Sequence, residues 1–147
     1  MTMTMTMTSI MLVDDEVPFV ETMTKRLAKR GFSVVGAFSG YEAMEKLESD
    51  RMIDVVILDV KMPGMDGINA LKEIKGKFPL VEVIMLTGHA TVESAIDGMK
   101  LGAFDYLMKP CDMAQLLSKI QEAKDKKIAH EEKIREAKIK ELSSKFD

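Results

Sequence analysis

The sequence predicts a doubly wound α/β fold, (βα)5, in which five parallel strands lie between two layers of helices. Three observations predict it. Short apolar runs alternate with amphipathic stretches five times along the chain, which is the pattern of a parallel sheet covered on both faces. The middle three runs are rich in Val and Ile, as strands buried on both sides require. A length of 147 residues with 46% hydrophobic content supports a single core.

Each element can be justified in order. Residues 1–8 are a strict Met-Thr alternation with neither the basic n-region nor the apolar h-region of a signal peptide, and they read as a leader or an artefact of expression. The strands are assigned to 10–13, 33–37, 54–58, 81–86 and 104–108. The first helix, 17–30, carries Phe19, Val20, Met23 and Leu27 at helical spacing, with Pro18 in its first turn and Gly31 at its C-terminal cap. Shorter helices are expected over 41–48, 68–75 and 92–101, closed by Ser49-Asp50, by Gly76 through Pro79, and by Gly102. From Asp112 onward a long last helix shows the stripe Met113, Leu116, Leu117, Ile120 and Ala123. Right-handed crossovers between parallel neighbours favour the flavodoxin-like strand order 2-1-3-4-5.

Beyond Lys124 the apolar positions thin and the charges nearly balance, so 9–123 is read as the domain and 124–147 as a charged helical tail or linker. Glu122 with Lys126, Glu131 with Arg135, Glu136 with Lys140 and Glu141 with Lys145 stand at i,i+4, each pair worth about 0.2–0.5 kcal/mol. Heptads counted from Ile120 put Ala123, Lys127, His130, Ile134, Ala137 and Glu141 on one seam. Such a polar seam is weak and supports at most a homodimer that needs help from another face.

Composition excludes several functions. A net charge of -3 with dispersed Lys and Arg gives no basic field for direct nucleic-acid binding. No apolar run approaches the roughly 18 to 20 residues that span a bilayer, so no membrane association is expected. Cys111 is the only cysteine and permits no internal disulfide, which is compatible with a cytoplasmic location. His89 and His130 lack companions at metal-ligand spacing, which argues against zinc.

In open parallel sheets the working groups gather beyond the carboxyl ends of the strands, where strand order reverses. The first strand exits into Asp14-Asp15-Glu16, the third into Asp59-Val60-Lys61, the fourth into Thr87-Gly88 and the fifth into Lys109-Pro110. In the order 2-1-3-4-5 the first and third strands are neighbours, so Asp14, Asp15 and Asp59 converge. Three close carboxylates repel, and a hard divalent cation such as Mg²⁺ offsets that charge best. Lys109 adds a positive charge and Thr87 a hydroxyl donor, a set suited to stabilising a phosphoryl group in transit.

The exits VDDE, LDVKMPGMDG, MLTGHA and DYLMKP, in that order, resemble the signature of bacterial two-component response-regulator receiver domains over roughly residues 9–123. No member of the family's core set is missing. The resemblance implies that Asp59 is the phosphoacceptor, that Asp15, Asp59 and the backbone carbonyl of Lys61 hold Mg²⁺, and that Asp14 acts through bound water. It further implies that Thr87 binds a phosphoryl oxygen and draws Tyr106 inward, that Lys109 pairs with the acyl phosphate, and that the Lys109-Pro110 peptide is cis. Lys61 and His89 would flank the path of hydrolytic water. The partner implied is a sensor histidine kinase, and the protein would assist its own phosphorylation and dephosphorylation without being an enzyme in the ordinary sense.

Taken singly, the same residues have plainer readings. Asp14 and Asp15 could be helix N-terminal acids, Thr87 a loop residue, Lys109 a solvated lysine and Tyr106 a core aromatic. Their coincidence at strand exits favours the site. A haloacid-dehalogenase-type phosphatase would place Asp where Lys61 stands, and neither GxxxxGK[ST] nor GxGxxG follows the first strand. The alternatives of a pseudo-receiver or a free-standing receiver acting by docking stay open. The stretch TGHATVESAIDGMKLGAFDYLMKP is similar to regulators that carry an ATPase and a DNA-binding domain, which favours a piece of a longer protein controlling transcription.

Overall fold

A computed structural model describes residues 7–145; most of the leader, residues 1–6, lies outside them. The elements are β1 (Ser9–Val13), α1 (Val17–Ala28), β2 (Ser33–Ala37), α2 (Gly40–Ser49), β3 (Val55–Leu58), α3 (Gly67–Lys77), β4 (Glu82–Thr87), α4 (Val92–Lys100), β5 (Asp105–Met108) and α5 (Met113–Ser144). All strand pairs are parallel, in the order β2-β1-β3-β4-β5. The expected fold and strand order therefore hold.

The period of two in the strands divides the core. Met11, Val13, Val56, Leu58, Val83 and Met85 face the layer of α2, α3 and α4. Their chain neighbours Ile10, Leu12, Val55, Ile57, Ile84 and Leu86 face α1 and α5, meeting Val20, Leu27, Leu116 and Ile120. Alternate residues of one strand thus serve opposite cores. Among the described residues no helix is long and apolar enough to cross a membrane.

Local chemistry sets the helix ends. Ser39 caps α2 through the Glu42 N–H at 3.1 Å, Asp66 caps α3 through the Asn69 N–H at 2.9 Å, and Thr91 with Ser94 forms a reciprocal capping box on α4. Gly31 and Gly102 leave their helices at φ +91° and +100°, the conformation expected of a C-terminal glycine. Gly76 does not close α3 as expected. The helix runs through it to Lys77 and stops at Phe78, which is buried in the core, because a mid-helix glycine costs only about 1 kcal/mol and packing outweighs it.

The helix beyond Lys124 is also less solvated than its composition predicts. Asp54, just before β3, accepts from the Ser9 N–H at 2.9 Å and from Lys127 Nζ at 3.0 Å, and pairs with Lys124 at 2.9 Å. Lys127 is buried. Burial works to raise the Asp54 pKa, but the Ser9 amide and the two ammonium groups outweigh it and hold the carboxyl below its ordinary range. Burial likewise opposes charge on Lys127, and Asp54 and Glu131 overcome it and raise the lysine. Two positions of the expected seam, Ala123 and Lys127, are therefore consumed within the chain's own core.

The four expected i,i+4 pairs are not among the ion pairs of the described residues. Glu131 instead takes Lys127 at 3.2 Å, Arg135 takes Glu132 at 2.6 Å, and Lys126 lies 3.7 Å from the buried Glu82. Lys126 thus turns to a tertiary partner, while Glu131 and Arg135 pair with other neighbours on the same helix; exposed local pairs are worth little. Asp54→Asn is expected to destabilise the fold by about 3 kcal/mol in urea denaturation, since it removes the charge that Lys124 and the buried Lys127 share. The sign of the pH dependence follows: the pair's contribution is present above the ordinary carboxyl range and is lost as pH falls through the depressed Asp54 pKa. At the alkaline end it is lost as pH rises through the raised Lys127 pKa. Equal stability of parent and variant across pH would contradict this anchoring.

Candidate functional site

The strand register builds the site. Val13 pairs with Leu58, so Asp14 and Asp59, one residue later on each strand, leave the sheet at the same level. The Asp59 N–H donates to the Val13 carbonyl at 2.9 Å and the Asp14 N–H to the Ala37 carbonyl at 3.1 Å, prolonging the ladders to the point where the chains turn away. Asp14 and Asp59 are 2% exposed and Asp15 is exposed. Asp14, Asp15 and Asp59 each offer a carboxylate oxygen within 4.8 Å of the others'.

Each buried carboxylate is held. Asp14 Oδ1 accepts from the Glu16 N–H at 2.9 Å and Oδ2 from Lys109 Nζ at 2.6 Å. Asp59 Oδ1 accepts from the Val60 N–H at 2.8 Å, and among the described residues no donor meets its Oδ2. The loop after Asp59 turns through Gly64, at φ +81°, and returns to α3, where the Gly67 N–H donates to the Val60 carbonyl at 2.6 Å. A Cβ at Gly67 would lie 1.9 Å from the Asp59 carbonyl oxygen. Only glycine permits this return beneath the carboxylate.

Lys109 follows β5, its N–H donating to the Thr87 carbonyl at 2.9 Å, and the Lys109-Pro110 peptide is cis. Its ammonium lies 4.0 Å from the Phe19 ring centroid, a cation–π contact, and reaches Glu16 at 3.3 Å as well as Asp14. Thr87 is fully buried, and its Oγ1 accepts from the His89 N–H at 3.0 Å. Tyr106 is half-buried, with its hydroxyl 2.6 Å from Ser94 Oγ. Lys61 and His89 line an open cavity of about 370 Å³ together with Asp15, Glu16 and Asp59. The sequence-predicted residues thus surround one end of the sheet, while Tyr106 is turned to α4.

Burial is the main cause that raises the Asp14 pKa above its ordinary value, with the Asp59 charge adding to it against the lowering effect of Lys109 and the Glu16 amide. Lys109 is also raised: burial acts against its charge, and Asp14, Asp59 and Glu16 prevail. Both directions are those of a site with more carboxylates than cations. A hard cation with oxygen ligands fits this donor set.

Glu16, Phe19 and Ser94 were not singled out by sequence reasoning. Glu16 is adjacent to the acidic pair and was visible as a third acid. Phe19 reads as a core residue of α1, and Ser94 carries only the weak Thr91-x-x-Ser94 capping signal.

Comparison with known proteins agrees with this geometry. The response regulator receiver domain family matches residues 10–121. The chain is 38% identical over 121 residues to the transcriptional regulatory protein ZraR of Salmonella typhimurium strain LT2, covering 82% of this chain and 26% of that protein. It is 40% identical over 114 residues to the regulatory protein AtoC of Escherichia coli strain K12, covering 78% and 24%. A crystal structure of a response regulator receiver domain protein from Clostridium thermocellum superposes with a TM-score of 0.80 at 37% identity, over 84% of this chain and 98% of that one. The chain spans about a quarter of the length of these curated relatives. A carboxylate cluster at the reversal point of a 2-1-3-4-5 sheet, a matching family and these relatives lead to one conclusion: the chain belongs to the response regulator receiver domains of two-component signalling, phosphoacceptors rather than enzymes acting on a separate substrate.

Proposed function

We propose that this chain is a phosphorylation-controlled switch that takes a phosphoryl group from a phosphohistidine of a sensor histidine kinase onto Asp59. The observation that carries this reading is the convergence of Asp14, Asp15 and Asp59 beside Lys109. Asp59 Oδ2, the oxygen without a protein donor, attacks phosphorus as the phosphorus–nitrogen bond to the kinase imidazole breaks. The product is a mixed anhydride. Asp15, Asp59 and the Lys61 carbonyl would hold Mg²⁺, with Asp14 acting through water; when bound, the ion offsets the carboxylate charge and that of the phosphoryl oxygens. Lys109 neutralises charge on the acyl phosphate, and Thr87 turns its hydroxyl toward a phosphoryl oxygen. Lys61 and His89 stand where they would screen attacking water during hydrolysis.

The switch is a population shift: phosphoryl contacts favour the state with Thr87 and Tyr106 turned inward, altering the face of α4, β5 and α5. Residues 9–123 form the receiver and 124–147 a linker to an output that controls transcription in a longer, cytoplasmic protein. Because Ala123 and Lys127 are committed to the chain's own core, tail pairing begins no earlier than His130. Any homodimer is therefore phosphorylation-dependent and relies on the receiver face.

Incubation with acetyl phosphate and Mg²⁺, followed by intact-mass measurement, tests the proposal. One phosphoryl mass should be gained, and chelation of the metal should prevent it; no gain, or a gain indifferent to metal, would refute the reading. A separate expectation concerns the ligands. Asp15→Ala should weaken Mg²⁺ binding by about ten-fold or more, as loss of a metal-site group does, whereas Thr87→Ala should leave it near the parent value. Chemical-shift titration with Mg²⁺ reads both, and equal weakening would contradict the ligand assignment.

A further inference from the structure

We infer that Ser94 is a positioning residue of the switch, anchoring the Tyr106 hydroxyl to the first turn of α4; this rests on the reading of Thr87 and Tyr106 given above. Ser94 and Gly98 stand four residues apart on one face of α4, and Tyr106 lies across that face. A Cβ at Gly98 would be 3.6 Å from the Tyr106 ring, and the Tyr106 hydroxyl is 2.6 Å from Ser94 Oγ.

The hydrogen-bonding capacity of Ser94 is fully used. Its Oγ accepts from the Thr91 N–H at 3.1 Å, and lies 2.9 Å from the Thr91 hydroxyl and 3.1 Å from the Thr91 carbonyl. A serine hydroxyl has one proton and two lone pairs. The Thr91 amide, hydroxyl and carbonyl and the Tyr106 hydroxyl, four groups in all, converge on this one atom and its three hydrogen-bonding sites. The capping box of α4 and the tyrosine rotamer thus share one oxygen atom.

Two consequences follow. Thr87 Oγ1 is engaged by the His89 N–H, so the resting arrangement holds both switch side chains by bonds within their own surroundings. Rotation of Tyr106 away from α4 breaks its bond to Ser94 and removes one partner from the capping box. The first turn of α4 therefore loosens when Tyr106 moves, which couples the tyrosine to the helix without any contact from Asp59.

The full chain with Ser94→Ala, Ser94→Thr, Tyr106→Phe and the Ser94→Ala/Tyr106→Phe double variant tests this, with beryllofluoride and Mg²⁺ as the phosphoryl mimic. Losing one net hydrogen bond of the resting state should lower the half-saturating beryllofluoride concentration about five-fold in Ser94→Ala. Ser94→Thr should restore the parent value, and Ser94→Ala should have no further effect in the Tyr106→Phe background. In the free protein, side-chain NMR couplings should show the Tyr106 χ1 population shifted by Ser94→Ala and not by Ser94→Thr. A role confined to capping would change helix stability alike in both backgrounds and leave χ1 unmoved; that result overturns the inference. If the parent chain shows no response to beryllofluoride, the Asp59 reading fails, and the χ1 populations of the free protein still decide for or against Ser94.

Discussion

Asp59→Asn is expected to abolish phosphoryl uptake from acetyl phosphate while leaving the fold intact and slightly more stable. The amide oxygen can still accept the Val60 N–H that Asp59 Oδ1 accepts at 2.8 Å. What disappears is one negative charge from a group whose other members, Asp14 and Asp15, offer oxygens within 4.8 Å of it. Relief of that repulsion should add about 1 kcal/mol to stability in urea. Loss of labelling together with a higher midpoint separates a chemical defect from a folding one. Undiminished labelling in the variant would move the acceptor to another residue, and a lower midpoint would deny that the carboxylates repel.

Gly67→Ala is expected to have the largest effect on stability. The added methyl would sit 1.9 Å from the Asp59 carbonyl oxygen and 2.6 Å from Val60 Cα. Both obstacles are backbone, so no side-chain rotation relieves the clash, and the loop carrying Asp59 must move. A cost of about 3–5 kcal/mol is expected, at the severe end for overpacking, with labelling lost as the carboxylate shifts. Gly76→Ala is the control. Its Cβ would meet nothing within 4 Å, and it lies inside α3, so it should stabilise by about 0.5–1 kcal/mol. Similar urea midpoints for the two variants would show that the close approach at Gly67 is not a constraint.

The parts of the fold legible in the sequence are those governed by local periodicity. Runs such as 54–58 and 81–86 announce buried parallel strands, and residues just past their ends announce the site, because a parallel sheet places every strand exit on one edge. Asp14, Asp59, Thr87 and Lys109 were legible for that reason. Element ends shifted by only a residue or two, apart from α3, where Gly76 proved an internal residue.

What was not legible depends on partners far apart in the chain. Asp54 and Lys127 are 73 residues apart, and each alone reads as an ordinary surface charge. Glu82 is fully buried, with Lys75 at 3.8 Å and Lys126 at 3.7 Å, yet it opens a strand whose period gives no hint of it. Glu82 draws Lys126 out of the local pair with Glu122 that spacing suggests, while Asp54 binds Lys124 and Lys127. The Ser94–Tyr106 bond escaped notice for the same reason, since nothing in either segment names the other.

The most direct measurement is the location of the phosphoryl group itself. Borohydride reduces an aspartyl phosphate to homoserine, and peptide mass spectrometry of the reduced protein reads which position has changed. After treatment with acetyl phosphate and Mg²⁺, homoserine should appear at position 59 and nowhere else. Homoserine at position 14 or 15, or a phosphoryl group that survives reduction, would contradict the assignment of Asp59.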